Sequence, residues 1–445
     1  MIEKELQEIF NELYGEHEVD AVRQRYATLI EKMSKDAGFP ESELCNTSED
    51  IRIFSAPGRT ELAGNHTDHN RGKVLAASIQ LDNAAVVQKR DDNTVFFRST
   101  GFPDVKVKLT DSTGAPDLQP KREEEGTTEA LIRGIAAEMN RRGCNVGGFS
   151  ANADSTVLPG SGLSSSAAVE ALLCRIFDSL YGEGKLKFLE IAQIGQFAEN
   201  VYFGKPCGLM DQIACASGGA VSIDFADAAQ PAVKRINFDL AGAGYILCVV
   251  NTGGSHADLT ADYASIPSEM KAVAAFFGKS VLGELEKETV LSRAADLRKA
   301  LGDRALLRSL HFFDENARVD AMTTALSEME NAPTTAAKHH ALNSYLDLVN
   351  ESGDSSWKLL QNVYSTHQPK TQGISAALAL TKDFFRKQKL RGACRVHGGG
   401  FAGTIQVYLP QDAMNAYRAN IETVFGAGSA TTLRIRPIGA VELVF

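Results

Sequence analysis

The stretch Ser155–Gly182, STVLPGSGLSSSAAVEALLCRIFDSLYG, carries the reading of the fold. Pro159, Gly160 and Gly162 make a tight turn. Ser164, Ser165 and Ser166 follow it, and apolar residues recur at helical spacing from Ala167 to Tyr181, with Gly182 as the C-terminal cap. The strand-like run GFSANADSTV stands just before the turn. Strand, glycine turn and helix in this order aim a helix N-terminus, with unpaired N–H groups and a partial charge of about +0.5, at whatever the turn encloses. A phosphate is stabilised there. One serine is an ordinary helix cap, but three in a row exceed what a cap needs, and their hydroxyls are hard oxygen ligands that suit Mg²⁺. The Gly278-Lys279-Ser280 triplet is no Walker A loop, because Val273 occupies the position that motif reserves for glycine.

Working outward, three further loops are rich in polar or glycine residues. Gly58–Gly72, GRTELAGNHTDHNRG, crowds Arg59, Glu61, Asn65, His66, Asp68, His69, Asn70 and Arg71 between glycines. A ring of ligand hydroxyls in a closed cleft demands that many hydrogen-bonding heads, since any left unpaired costs free energy. In FAENVYFGKPCGLMDQIACASGG, Asp211 opens a helix and Glu199 lies on the preceding one. Taken alone, the two read as a carboxylate complementing a helix dipole and a solvated surface charge. In RVHGGGFAGTIQVYL, Gly398, Gly399 and Gly400 precede a strand and suit close approach of backbone to a neighbour.

With 445 residues, 44% hydrophobic and 23% charged, the chain is an ordinary globular protein long enough for two domains. A net charge of −10 without a Lys/Arg cluster argues against a nucleic-acid partner. No apolar run reaches the roughly 18 residues of a membrane span. Seven cysteines without a C-x-x-C pair indicate neither a disulfide framework nor a zinc site, and with an acidic opening unlike a signal peptide they lead to an expected cytoplasmic location. Two amphipathic helices are expected over residues 1 to about 40, followed by the polar connector FPESELCNTSED. Two strands are expected around the Asp91-Asp92-Asn93 turn, and a helix over 126–142 that Thr127 or Thr128 caps. A strand-like AGYILCVVNTGG then opens a helix-rich second half, so the domains are expected to be 1–240 and 241–445. The closing LRIRPIGAVELVF alternates like a strand of undetermined sheet.

The loops, in this order and spacing, resemble the signature motifs of the GHMP small-molecule kinases. APGRTELAGNHTDHNRGKVLAASI is similar to the galactokinase signature G-R-x-N-x-x-G-E-H-T-D-Y-N, PCGLMDQ to a second galactokinase motif, and NTGGSHADLTADY to a segment ending in a sugar-contacting tyrosine. The resemblance implies an α/β (α+β) fold of two domains, the first with a left-handed βαβ crossover and the second ferredoxin-like, with ligands between them. It implies ATP-dependent phosphorylation of a sugar at its anomeric hydroxyl. Gly160, Ser161, Gly162, Leu163, Ser164, Ser165 and Ser166 would hold the ATP phosphates, while Ser166 and Glu199 would ligate Mg²⁺. Asp211 would accept the sugar proton, helped by Arg59, and Asn65, His66, Asp68, His69 and Tyr263 would hold the sugar. Partners beyond sugar and ATP are not implied, and a monomer is expected.

Three departures qualify the substrate. Asn65 replaces the motif's glutamate, which helps to hold the C6 hydroxyl in galactokinases, His69 replaces its tyrosine, and His397 replaces a threonine before the glycines. Galactose is the expected sugar. The alternatives are galacturonate, whose carboxylate Arg71 and Lys73 would attract, another sugar, or a sensor that binds sugar and ATP without turnover.

Overall fold

The computed structural model describes residues 2–35, 51–157, 162–254 and 259–443. Helices α1 (Ile2–Tyr14) and α2 (Val19–Lys35) lead to strands β1 (Arg52–Ala63), β2 (Lys73–Lys89), β3 (Thr94–Ser99) and β4 (Val105–Lys108). Helix α3 (Thr128–Arg141), β5 (Phe149–Ser155), α4 (Ser165–Tyr181), α5 (Phe188–Phe197) and α6 (Met210–Ser217) follow, then β6 (Ala220–Asp224) and β7 (Ala232–Ile236). The second half runs through β8 (Tyr245–Asn251), α7 (Thr260–Phe276), α8 (Lys287–Ser292), α9 (Ala294–Leu301), α10 (Asp303–Glu330), α11 (Thr335–Ser355) and α12 (Gly373–Gln388). It closes with β9 (Ala393–His397), β10 (Thr404–Pro410), α13 (Met414–Phe425), β11 (Ala430–Leu433) and β12 (Val441–Leu443). The expected connector over 39–50 lies outside the described residues.

The first sheet has the order β12-β1-β2-β5-β3-β4, with β6 pairing β2 and β7. The strands flanking the Asp91–Asn93 turn are where the alternation put them, but they do not pair. β5 sits between them, antiparallel to β2 and parallel to β3. A parallel pair needs a crossover, and α3 supplies it: its Leu131, Ile132, Ile135 and Met139 bury against the sheet together with Leu172, Leu173, Ile176 and Phe177 of α4. Phe149 and Phe177 meet edge to face at 5.1 Å, a geometry worth about 0.5–1.5 kcal/mol beyond the area it buries. Thr127 precedes α3 in extended conformation, but its hydroxyl donates to the Glu124 carbonyl rather than capping the helix.

The second sheet is antiparallel with the order β11-β8-β10-β9, the 4-1-3-2 arrangement of a ferredoxin-like unit. Alternation along β8 sends Cys248 and Val250 toward α12 and α13, and Leu247 and Val249 toward α10 and α11. That second core also contains Leu62, Leu75, Ala77 and Ile79 of the first sheet, so one apolar layer joins the two halves. The closing segment does not stay with the second half: β12 returns to pair with β1, Ile53 opposite Leu443. The outer face of β2 and β12 is covered by α1 and α2 through Phe10, Leu13, Tyr14, Val22, Tyr26 and Leu29. Their polar anchor is buried Asp82, which accepts from Tyr14 Oη at 2.6 Å and Arg25 Nη1 at 2.6 Å.

Candidate functional site

Two register shifts interrupt the β1–β2 ladder, between Pro57 and Arg59 and between Glu61 and Ala63. The first leaves two extra residues on β2 and the second one extra residue on β1, and such irregularities re-aim the side chains between them. Arg59 is thereby directed at the start of α6, where it makes a paired contact with Asp211: Nε to Oδ1 at 2.7 Å and Nη2 to Oδ2 at 2.9 Å. Its third nitrogen, Nη1, donates to the Gly162 carbonyl, and its backbone N–H donates to Leu163 O at 3.1 Å. Ser164 has φ 58°, immediately before α4, and its hydroxyl donates to Asp211 Oδ2 at 2.5 Å. Arg59, Asp211, Gly162, Leu163 and Ser164 thus form one cluster at a helix N-terminus. Ser165 and Ser166 occupy the first turn of α4 and are partly buried. Gly160 and Ser161 lie outside the described residues.

Burial pushes the Asp211 pKa up, but the Arg59 charge and hydrogen bonds, with that of Ser164, outweigh it and hold the carboxyl below its ordinary value. Asp211 is therefore ionised at neutral pH.

Behind Asp211, its neighbour Gln212 joins two buried carboxylates. Its Nε2 donates to Glu170 Oε2 and to Glu199 Oε2, both at 3.0 Å. Burial and then the Glu199 charge drive the Glu170 carboxyl well above the usual range. The ammonium of Lys205 lies 3.1 Å from Glu199 Oε1. Ser166 sits one turn before Glu170 on α4, on the same helical face. None of Glu170, Lys205 or Gln212 stood out in the sequence, although Gln212 follows Asp211 directly.

The crowded loop behaves differently from expectation. Asn65 is completely buried, and its Nδ2 donates to Glu61 Oε1 at 3.0 Å and Gly398 O at 2.7 Å, while its Oδ1 accepts from Asn362 Nδ2 at 2.7 Å. His66 Nε2 meets Gly399 O at 2.9 Å, and Tyr263 Oη donates to Gly400 O at 2.7 Å. The three side chains each hold one carbonyl of the triple glycine. Gly399 and Gly400 are needed because the neighbours come so close: a Cβ on Gly399 would stand 2.5 Å from the Tyr263 ring, and one on Gly400, at φ +79°, 2.1 Å from Asn362 O. Burial lowers the His66 pKa to about 4, so the ring is neutral. His397 lies beside Gly162, its two ring nitrogens 3.0 Å from Thr60 Oγ1 and from Thr404 Oγ1.

Asp68 is half-buried and His69 exposed. Asp68 Oδ1 accepts the His69 backbone N–H at 2.9 Å, and the carboxylate lies against Gly208, where a Cβ would come within 2.0 Å of Oδ2. The carboxylate missing at position 65 reappears at Glu61, where the galactokinase pattern has asparagine. Glu61 is buried and accepts from Arg395 Nη2 at 2.5 Å. Arg71 and Lys73 have acidic partners: they pair with Glu284 at 3.3 Å and with Asp320 at 2.7 Å.

Comparison with known proteins bears on this arrangement. The family model of the GHMP kinases N-terminal domain matches residues 130–219, and that of the galactokinase galactose-binding signature matches residues 42–89. The structure of Lactococcus lactis galactokinase complexed with galactose is similar over 100% of both chains, with a TM-score of 0.72 and 22% identity. Methanococcus jannaschii mevalonate kinase has a TM-score of 0.57 at 13% identity, over 87% of this chain and 99% of its own. The fold is that of the GHMP kinases. Sequence likeness goes further: a galactokinase of Streptomyces coelicolor is 31% identical over 391 residues, 86% of this chain and 91% of the relative. One of Glaesserella parasuis is 28% identical over 375 residues, 82% and 86%. The chain belongs to the galactokinase family and is a sugar kinase.

Proposed function

We propose that the chain transfers the γ-phosphoryl group of ATP to the anomeric hydroxyl of galactose. One observation carries the reading: an ionised Asp211, gripped by Arg59 and touched by Ser164, stands at the N-terminus of the serine-led helix α4. Phosphoryl transfer asks mainly for alignment and charge stabilisation, since its transition state is usually loose. Asp211 is a weak base for an alcohol. Its part is to orient the hydroxyl and accept the proton late, and Arg59 keeps the carboxylate in place and ionised. The α4 N-terminus, with Ser164, Ser165 and Ser166, holds phosphate oxygens by unpaired N–H groups and hydroxyls. Asp68 takes sugar hydroxyls at the mouth of the cleft, beside His69. Asn65, His66 and Tyr263 act as braces of the glycine loop that walls the sugar pocket.

Ser166 and Glu199 fit Mg²⁺ by their chemistry, a hydroxyl and a carboxylate on neighbouring elements that leave the remaining positions to phosphates and water. Among the described residues no group of three or more His, Cys, Asp and Glu is arranged to hold a metal unaided. When bound, the ion neutralises charge on the phosphates.

A neutral sugar is favoured over a uronate because Arg71 and Lys73 already have acidic partners and Glu61 keeps a carboxylate in the loop. The test is ADP release with ATP, Mg²⁺ and a panel of sugars. Galactose should give the highest kcat/KM. An equal or higher value with galacturonate overturns the substrate, and thermal stabilisation by sugar without ADP above background overturns catalysis in favour of a sensor.

A further inference from the structure

The segment Gly204-Lys205-Pro206-Cys207-Gly208 links the turn that carries Glu199 to the helix that carries Asp211. Its backbone is fixed. Gly204 has φ +80°, the Lys205 N–H donates to Glu199 O at 3.1 Å, Pro206 restricts the chain, and the Cys207 N–H donates to Asn200 Oδ1 at 2.7 Å. The Lys205 side chain, by contrast, is 62% exposed, and among the described residues its ammonium contacts only Glu199 Oε1. An ammonium has three donors, so two of its N–H groups have no protein partner among the described residues.

The charges around it make that position consequential. Asp68, Asp211 and Glu199 are acidic, and Arg59 is committed to Asp211 and to the Gly162 carbonyl. The described part of the phosphate loop, from Gly162 to Ser166, contains no cation. A triphosphate entering this cleft meets net negative charge, and the mobile cation beside both Glu199 and Asp211 is Lys205, whose charge is already felt at the Asp211 carboxylate.

We propose that Lys205 binds the transferred phosphoryl group: its ammonium neutralises Glu199 while the cleft is free of nucleotide, and swings to the γ-phosphate oxygens when ATP arrives. A flexible point charge suits a group whose oxygens move during transfer, as a rigid bidentate guanidinium does not. The swing also releases Glu199 Oε1 at the moment the nucleotide brings its Mg²⁺. The inference rests on the kinase reading given above.

The test compares wild type with Lys205→Met and Lys205→Arg. Calorimetry measures binding of ADP and of a β,γ-imido analogue of ATP, each with Mg²⁺, and steady-state kinetics measures turnover of galactose. Lys205→Met should weaken the analogue about tenfold more than ADP, the scale of one charge-assisted hydrogen bond, and lower kcat with sugar KM within about twofold. Lys205→Arg should restore most of the analogue affinity. Equal losses for ADP and analogue, or none, overturn the proposal. So does tighter Mg²⁺ binding with an unchanged ratio, which would make Lys205 only the counter-ion of Glu199. A wild type that binds neither nucleotide overturns the kinase reading along with it, whereas normal wild-type binding with an unmoved variant refutes Lys205 alone.

Discussion

Replacing Asp211 by asparagine separates its two duties. The carboxylate accepts three hydrogen bonds, two from Arg59 and one from Ser164. Asparagine keeps one oxygen, turns the other position into a donor facing the guanidinium, and removes the charge. Arg59 is only 7% exposed, so its charge stays buried without a counter-charge. Breaking a buried pair in this way costs about 3–5 kcal/mol, and the 35% exposure of Asp211 to the cleft brings the expected loss to the lower end, about 3 kcal/mol. Proton acceptance by a placed carboxylate contributes about 10²–10⁴-fold, so kcat should fall by that factor while sugar KM stays within about threefold. Turnover is followed by ADP release, sugar binding by calorimetry and stability by denaturant unfolding. The double variant Arg59→Met/Asp211→Asn should regain stability but not turnover. An Asp211→Asn protein retaining kcat within tenfold of wild type, or losing it only in proportion to sugar binding, would refute the assignment.

Other outcomes follow from the same contacts. Glu61→Gln removes the hydrogen-bonded counter-charge of buried Arg395, leaving it the more distant Glu315, and should cost about 3 kcal/mol, while Glu61→Gln/Arg395→Met should cost less than either single change; additive unfolding free energies would refute the coupling. Burial pushes the Glu315 pKa up, but His311, Arg318 and Arg395 nearby bring it down to about 2, from 4.5. The unfolded chain therefore takes up this proton first on acidification. About 3 kcal/mol of stability is present above pH 4.5 and disappears as pH falls to 2, so the gap in unfolding midpoint between wild type and Glu315→Gln should narrow from pH 7 to pH 3. Gly400→Ala forces a side chain at positive φ against the Asn362 carbonyl and should destabilise by about 2 kcal/mol or more and raise sugar KM, read by unfolding and kinetics.

What could be read before the structure was mostly local. The serine turn announced a helix, which begins at Ser165, and the motif likeness linked Arg59 to Asp211 across 152 positions. Donor types were legible in Gly58–Gly72, but their acceptors were not. Asn65, His66 and Tyr263 turn to the carbonyls of residues 398–400, and no spacing within one segment reveals a partner more than 300 residues away for Asn65 and His66. The insertion of β5 between β2 and β3 was hidden for a similar reason. Alternation reports which face of a strand is apolar and says nothing about which strand lies beside it. Glu61 shows the effect in one residue: its charge looked like one polar head among many, and the buried Arg395 that justifies it comes from the other sheet.

The pairing of β1 with β12 has a consequence for biosynthesis. Arg52 and Glu442 are 390 positions apart, yet their ion pair and the adjoining ladder complete the first sheet. While the chain is being made, the hydrogen-bonding rim of β1 has no mate until residues 441–443 leave the ribosome, and such a rim invites strands from other nascent chains. Helices α1 and α2, synthesised first and packed over the neighbouring face, are placed to shield it during that wait.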